Sequence, residues 1–213
     1  MRTKTLLVTA ALGAAGVASA VAQVYSVNAV GYVNLTVKPG FNTIANPLDA
    51  GAGNNTASKV LAGVPDGTTV YKYVAGSGYT IDSYSDLFGW DNPDLGLAPG
   101  EGFFIQVPAG ADVNLTFVGE VPQADASNMS LPAGFALVSS KVPQAGKLAT
   151  DLKYPAADGD TIYTYANPGG YSIFSYSDLF GWDPAEPNIA VGQAFWSQKS
   201  AAASWTRNFS VNQ

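Results

Sequence analysis

Gly78–Asp91 reads GYTIDSYSDLFGWD, and Gly170–Asp183 reads GYSIFSYSDLFGWD. Of these 14 aligned positions 12 are identical, at an offset of 92 residues. A direct repeat of this length says that the chain holds two copies of one unit, and that each must fold beside the other. Working outward at the same offset, Thr69–Tyr73 aligns with Thr161–Tyr165, and Asp66-Gly67 with Asp158-Gly159. Downstream, Ala98–Phe104 aligns with Ala190–Trp196, and Phe117 with Phe209. Upstream, Gly40-Phe41 meets Gly134-Phe135 only at an offset of 94, which places a two-residue indel between these points, most naturally in the Gly-rich stretch Asp49–Asn55. Repeat one is therefore expected over residues 24–117 and repeat two over 118–213.

Residues 1–22 stand apart from both copies. Arg2 and Lys4 precede the apolar run Leu6–Val17, and Ala18-Ser19-Ala20 and Ala20-Val21-Ala22 both fit a cleavage site. The run is too short to span a bilayer, so a cleaved secretory signal is expected. The chain has no cysteine, which removes disulfides, thiolate ligands and a lipidated start, and suits a bacterial periplasm or exterior. Setting aside Arg2 and Lys4 leaves 8 basic against 16 acidic residues. That balance argues against nucleic-acid partners, which need a basic footprint. No second long apolar run offers a membrane span.

Each copy reads as short strands divided by turn residues. Val33, Leu35 and Val37 alternate with polar residues, and Phe41–Asn46, Thr69–Val74 and Tyr79–Tyr84 follow, with Tyr71 and Tyr73 on one face. Phe103–Val107 and Val113–Val118 are expected to form a hairpin about Pro108-Ala109-Gly110, with Phe103, Ile105 and Val107 on one face and Val113, Leu115 and Phe117 on another. Short helices are expected at Thr56–Leu61 and Leu148–Lys153. Arg207 stands where the first copy has Leu115, so the final strand is expected at an edge, its charge discouraging edge-to-edge growth. The fold class expected is all-β: two tandem, homologous β-sandwich or barrel-like repeats packed with approximate two-fold symmetry. The join, Pro122–Asn128, is too short to act as a flexible tether.

Two segments carry a resemblance. Gly40–Leu48 reads GFNTIANPL, and Leu97–Ile105 reads LAPGEGFFI. Their order, around the Val70–Tyr73 strand, resembles tandem all-β repeat modules of secreted and surface-associated bacterial proteins, of the type GxNxIxxP followed by PGxGFFI. The resemblance spans nearly the whole chain after residue 23 and implies a structural repeat. It brings no catalytic residue with it. Repeat two keeps Gly192-Gln193-Ala194-Phe195-Trp196 but lacks the proline and the second glycine.

The shared segment Ser83–Asp91 and its copy Ser175–Asp183 is the candidate site. Asp86 is expected to cap one helical turn that ends at Gly89, with Leu87 and Phe88 folded inward. In one reading Phe88 and Trp90 plug the end of each sheet. In the other, Tyr84, Trp90, Tyr176 and Trp182 form an exposed platform for sugar rings, with Asp86, Asp91, Asp178 and Asp183 bonding the hydroxyls. Asp86, Asp91, Asn92 and Asp94 also offer oxygen ligands, but lack the spacing of a calcium loop, and Pro184 replaces Asn92 in the second copy. No metal and no cofactor is expected. The chain has no histidine, which removes Ser-His-Asp, Cys-His and His-metal chemistry. The leading expectation is a non-enzymatic secreted structural or cell-surface protein acting through contact with protein or extracellular matrix, with self-association left open by unpaired β edges. The alternative is a carbohydrate-binding protein that takes a polysaccharide on the repeated aromatics.

Overall fold

The computed structural model describes residues 29–211. The expected signal segment, residues 1–22, lies outside them. Repeat one runs through β1 (Val30–Val37), β2 (Gly40–Ala45), α1 (Ala57–Val60), β3 (Thr69–Val74), β4 (Gly78–Ser85), β5 (Gly89–Trp90), β6 (Gly102–Val107) and β7 (Val113–Glu120). The 3-10 turn Asp125–Ser127 joins it to repeat two: β8 (Met129–Leu131), β9 (Gly134–Val138), β10 (Gly146–Lys147), β11 (Thr161–Ala166), β12 (Gly170–Ser177), β13 (Gly181–Asp183), β14 (Asn188–Ile189), β15 (Phe195–Lys199) and β16 (Ala203–Trp205). β7 thus continues through the expected boundary at 117.

The two main sheets have one topology. Repeat one orders its strands β2-β6-β3-β4-β5, and repeat two orders the equivalent strands β9-β15-β11-β12-β13, all antiparallel. A ribbon lies against the inner face of each sheet: β1 pairs with β7, and β8 with β16. The fold is all-β, in two similar sets, as the repeat implies.

Alternation decides the layers. Val70, Phe103, Ile105 and Val107 point inward from the first sheet and meet Val37, Leu115 and Phe117 of the ribbon. Ile162, Val138 and Phe195 do the same in repeat two, against Leu131 and Trp205. Strand β6 reads Phe103-Phe104-Ile105 and is buried on both faces, so something must cover its outer side too. That cover is the other repeat.

The repeats meet about a pseudo-two-fold axis. Ile44 bridges Gln193, and its counterpart Val138 bridges Glu101. Ala45 N–H donates to Gly192 O at 2.9 Å, and the equivalent Ser139 N–H donates to Gly100 O at 3.0 Å. Close to the axis the missing glycine of repeat two finds its reason. A Cβ on Gly102 would lie 2.7 Å from the Ala194 Cβ and 3.0 Å from the Leu137 backbone carbon. One side must lack a side chain for the other to carry a methyl group.

Three local expectations are corrected. β6 and β7 do not form a hairpin: β6 lies between β2 and β3, and β7 crosses to the other layer to pair with β1. A helix forms at α1, but Leu148–Leu152 is a turn, with Lys153 at φ 58°. Arg207 lies beyond β16, half-buried, and donates to Ser140 Oγ and Gln144 Oε1 rather than guarding an edge. Burial lowers its affinity for the proton. Trp205 instead fills that part of the core, its Nε1 donating to Leu152 O at 2.7 Å.

Candidate functional site

The repeated segment folds as a hairpin tip, not a capped helical turn. Ser85 pairs with Gly89 across the three-residue turn Asp86–Phe88, and Gly89 takes φ 78°. This is the three-residue hairpin loop that needs a left-handed residue at its end. Asp86 is not the cap but the capped residue. Its N–H donates to Asp66 Oδ1 at 3.0 Å, as the Asp178 N–H does to Asp158 Oδ1 at 3.1 Å. Ser85 Oγ accepts from Leu87 N–H at 3.2 Å, and Ser177 Oγ from Leu179 N–H at 3.2 Å.

The eight expected site residues separate into two environments. Trp90 is buried in the core of repeat one with Tyr84 packed on it, ring centroids 5.5 Å apart. Trp182 is half-buried against the core of repeat two, 5.1 Å from Tyr176. Asp86, Asp91, Asp178 and Asp183 face solvent. Neither indole therefore lies on the expected open platform. Among the described residues no three carboxylates come together as a metal cluster. Leu87 and Phe88 do not fold inward: they are 79% and 83% exposed, and Leu179 and Phe180 are 79% and 85% exposed.

The open aromatic surface lies elsewhere, on the outer faces of the two main sheets. Alternation puts Phe41, Tyr71, Tyr73, Tyr79, Ile81 and Phe104 on one outer face, and Phe135, Tyr163, Tyr165, Tyr171, Ile173 and Trp196 on the other. The faces touch along the axis. Tyr73 meets Trp196 at 4.9 Å, and its counterpart Tyr165 meets Phe104 at 6.0 Å, both edge to face. Away from this seam they diverge and leave a cleft with two hollows of about 520 and 350 Å³. Tyr73, Tyr79, Phe135, Tyr163, Tyr171, Ile173 and Trp196 line the larger; Phe41, Tyr71, Tyr79, Phe104, Tyr165 and Tyr171 line the smaller. Tyr79 and Tyr171 stand between the hollows and belong to both.

The lining contains no charged side chain. Its polar groups are phenols and flanking amides. Tyr71 Oη donates to Gln106 Oε1 at 2.9 Å, and Tyr163 Oη to Gln198 Oε1 at 2.9 Å. Burial first, then the neighbouring Tyr171 and Tyr73, raises the Tyr79 phenol above its ordinary pKa, so it stays a neutral donor. The cleft's lining holds no carboxylate, lysine, arginine, histidine or cysteine. It can hold an apolar or ring-shaped group and donate a few hydrogen bonds.

Sequence reasoning put Tyr71 and Tyr73 on one face but did not see what they faced. The available signal was the run Phe103-Phe104-Ile105, apolar at successive positions where a half-exposed strand alternates. The chain matches no protein-family model, and neither a curated protein nor a solved structure is significantly similar to it.

Proposed function

We propose that this chain is a non-enzymatic, secreted structural or cell-surface protein that works by contact with protein or matrix, and that the inter-repeat cleft is a contact site. The observation that carries the reading is where the two copies agree. Outer-face residues match almost one for one: Phe41 with Phe135, Tyr71 with Tyr163, Tyr79 with Tyr171, Ile81 with Ile173, and Gln106 with Gln198. Several inner-face residues diverge in kind, Ile105 to Ser197, Val107 to Lys199 and Asp82 to Phe174, although Phe103 and Phe195, and Val70 and Ile162, stay apolar. Packing normally constrains a core more than a surface. Cross-axis contact accounts for Phe104 and Trp196. It gives Tyr79 one edge contact with Trp196 and leaves Tyr79, Tyr171, Ile81 and Ile173 49–59% exposed. A large apolar patch held in the open is the usual mark of an interaction surface. Signal-like residues 1–22 and the resemblance of Gly40–Leu48 and Leu97–Ile105 to modules of secreted bacterial proteins support the location.

The test is site-specific photo-cross-linking from position 173 in the cleft, with position 153 on the far side of repeat two as control, in cells that secrete the chain. Protein adducts from 173 and not from 153 are expected. Equal or no adducts at 173 would remove the cleft from the reading.

A second reading, carbohydrate binding, moves from the repeated hairpin to this cleft. Phenol, indole and glutamine side chains side by side favour it, since ring faces stack on sugars and amides bond hydroxyls. It predicts neutral-glycan binding that Trp196→Ala and Tyr79→Ala weaken together. A glycan array without a single hit ends it.

A further inference from the structure

The turn tips remain without a role in either reading. Among the described residues almost nothing covers Leu87-Phe88 and Leu179-Phe180, although turn positions readily accept polar residues. The hairpin needs its serine, aspartate and glycine for the turn, and Trp90 or Trp182 for the core. It does not need two large apolar side chains in water. The same molecule holds open apolar hollows on its outer sheet faces. Knobs and hollows each occur twice, and the one duplication relates both pairs.

We propose that the chain assembles with copies of itself, the Leu-Phe turn tip of one molecule seating in the aromatic cleft of the next. This rests on the reading of the cleft as a protein-contact site and names its partner. An apolar knob that meets an apolar hollow elsewhere on the same molecule makes a heterologous contact, which propagates unless rotation closes a ring. Charge fits the cleft better than an anionic membrane. Each tip carries exposed aspartates, Asp86 and Asp91 or Asp178 and Asp183, and neither hairpin contains a lysine or arginine. An anionic lipid surface repels such a collar. The cleft lining has no carboxylate to repel it, and the Tyr79 and Tyr171 phenols can donate to it. Association is then apolar contact opposed by the repulsion of two acidic chains. Added salt strengthens it, the reverse of an ion-paired interface.

Sedimentation and light scattering of the full chain, free of residues 1–22, over rising concentration and at low and high salt, test this. The expected result is an average mass that climbs with concentration past the dimer, and more steeply in salt. Leu87→Ser/Phe88→Ser/Leu179→Ser/Phe180→Ser is expected to weaken self-association at least ~100-fold, as for interface anchors. Tyr79→Ser/Tyr171→Ser is expected to do the same. A mixture of the two variants keeps knobs on one partner and hollows on the other, and is expected to form a mixed complex that neither forms alone. Circular dichroism checks that each variant is folded. A wild-type chain that stays monomeric, serine tips that associate like wild type, or a mixture that stays monomeric overturns the proposal. So does a wild-type chain that binds zwitterionic vesicles through its tips without self-association. The adduct from position 173 separates the two levels: a different protein there overturns self-assembly and leaves the contact reading standing, whereas no adduct removes both.

Discussion

Where repeat one buries Thr68 and Val107 beside one another at the end of its main sheet, repeat two buries Asp160 and Lys199 at the equivalent positions. The pair is fully served. Lys199 Nζ bonds Asp160 Oδ2 and Pro155 O and lies 5.3 Å from the centre of the Tyr154 ring. Asp160 also accepts from the Ala157 and Ser200 backbone N–H groups, at 2.8 and 2.9 Å. Beside it Tyr154 Oη and Ser197 Oγ share a hydrogen bond of 2.6 Å, where repeat one has Ala62 and Ile105. Burial holds the Tyr154 phenol well above its ordinary pKa, so the network keeps its proton. The same sheet topology thus tolerates an apolar or an ionic interior, while the outer faces stay alike. At these positions the fold accepts either interior, while Phe103 and Phe195, and Val70 and Ile162, stay apolar in both copies.

The largest expected effect breaks that interior difference. Asp160→Ala or Lys199→Met leaves one charge buried without its partner, and each should destabilise the chain by about 3–5 kcal/mol in urea unfolding. Asp160→Thr/Lys199→Val, which copies repeat one, should recover most of the loss, because the two sites then match an interior this topology already supports. A double variant as unstable as either single would mean that the interiors are not interchangeable.

Next comes the asymmetry at the axis. Gly102→Ala adds a methyl group within 3.0 Å of the Leu137 backbone and closer still to Ala194, so it should cost about 1–3 kcal/mol, the range for overpacking. Ala194→Gly in the same chain should return part of it. Rescue in a double-mutant cycle shows that the two positions share one space; strict additivity would deny it.

Much of this organisation was legible in the chain. Strand positions followed from alternation, and Thr69–Val74 falls where it was read. The indel, the repeat and the pairing of equivalent strands followed from one aligned motif. Partner choice was not legible locally. Phe103–Val107 and Val113–Val118 read as a hairpin because neighbours in sequence usually pair. The chain instead switches layers there, and only burial on both faces of β6 signals that it is a central strand. The environments along the repeated hairpin were not legible for another reason. Apolarity reads as burial for Leu87 and Phe88, which are exposed, whereas Trp90 reads as either a buried plug or an open platform and is buried. A hairpin tip and a hairpin stem impose opposite environments on residues two positions apart, and no composition rule distinguishes them.

Acid and base should also separate the repeats, in opposite directions. In repeat one the Asp82 side chain is buried, its Oδ1 accepting from Asn92 N–H at 2.8 Å and its Oδ2 unpartnered. Burial pushes its carboxyl above the ordinary 3.8, and nearby Asp91 adds to this, outweighing the Asn92 and Ser83 backbone N–H groups. Repeat two has Phe174 and Pro184 there and no such group. In repeat two burial pushes Glu186 up. The Thr150 hydroxyl, the Thr150 and Ala149 N–H groups and Lys147 outweigh it, and the net shift is down from 4.5. A raised carboxyl gives stability that is complete below its unfolded pKa and is lost as pH rises through its folded pKa. A lowered one gives stability present above the unfolded pKa and lost as pH falls through the folded pKa. Raising pH through the carboxylate range should therefore favour Asp82→Asn increasingly over the wild type. Lowering it should erase the cost of Glu186→Gln. Parallel pH–stability curves for wild type and both variants would sink the argument.

The smallest expected effect bears most on function. In dilute solution, Leu87→Ser/Phe88→Ser, with or without the same changes at Leu179 and Phe180, should leave unfolding free energy within about 0.5 kcal/mol of the wild type, as for surface positions without partners. The side chains are exposed in the folded and unfolded chain alike, so folding removes little apolar area from water at these positions. The turn keeps its own bonds, because Asp66 Oδ1 and Ser85 Oγ accept from backbone N–H groups that the substitutions leave in place. A loss of several kcal/mol would show that the tips are buried in a way their open placement denies. It would return the shared Leu-Phe pair to the fold. A null effect on stability leaves contact outside the molecule as the reason both copies keep it.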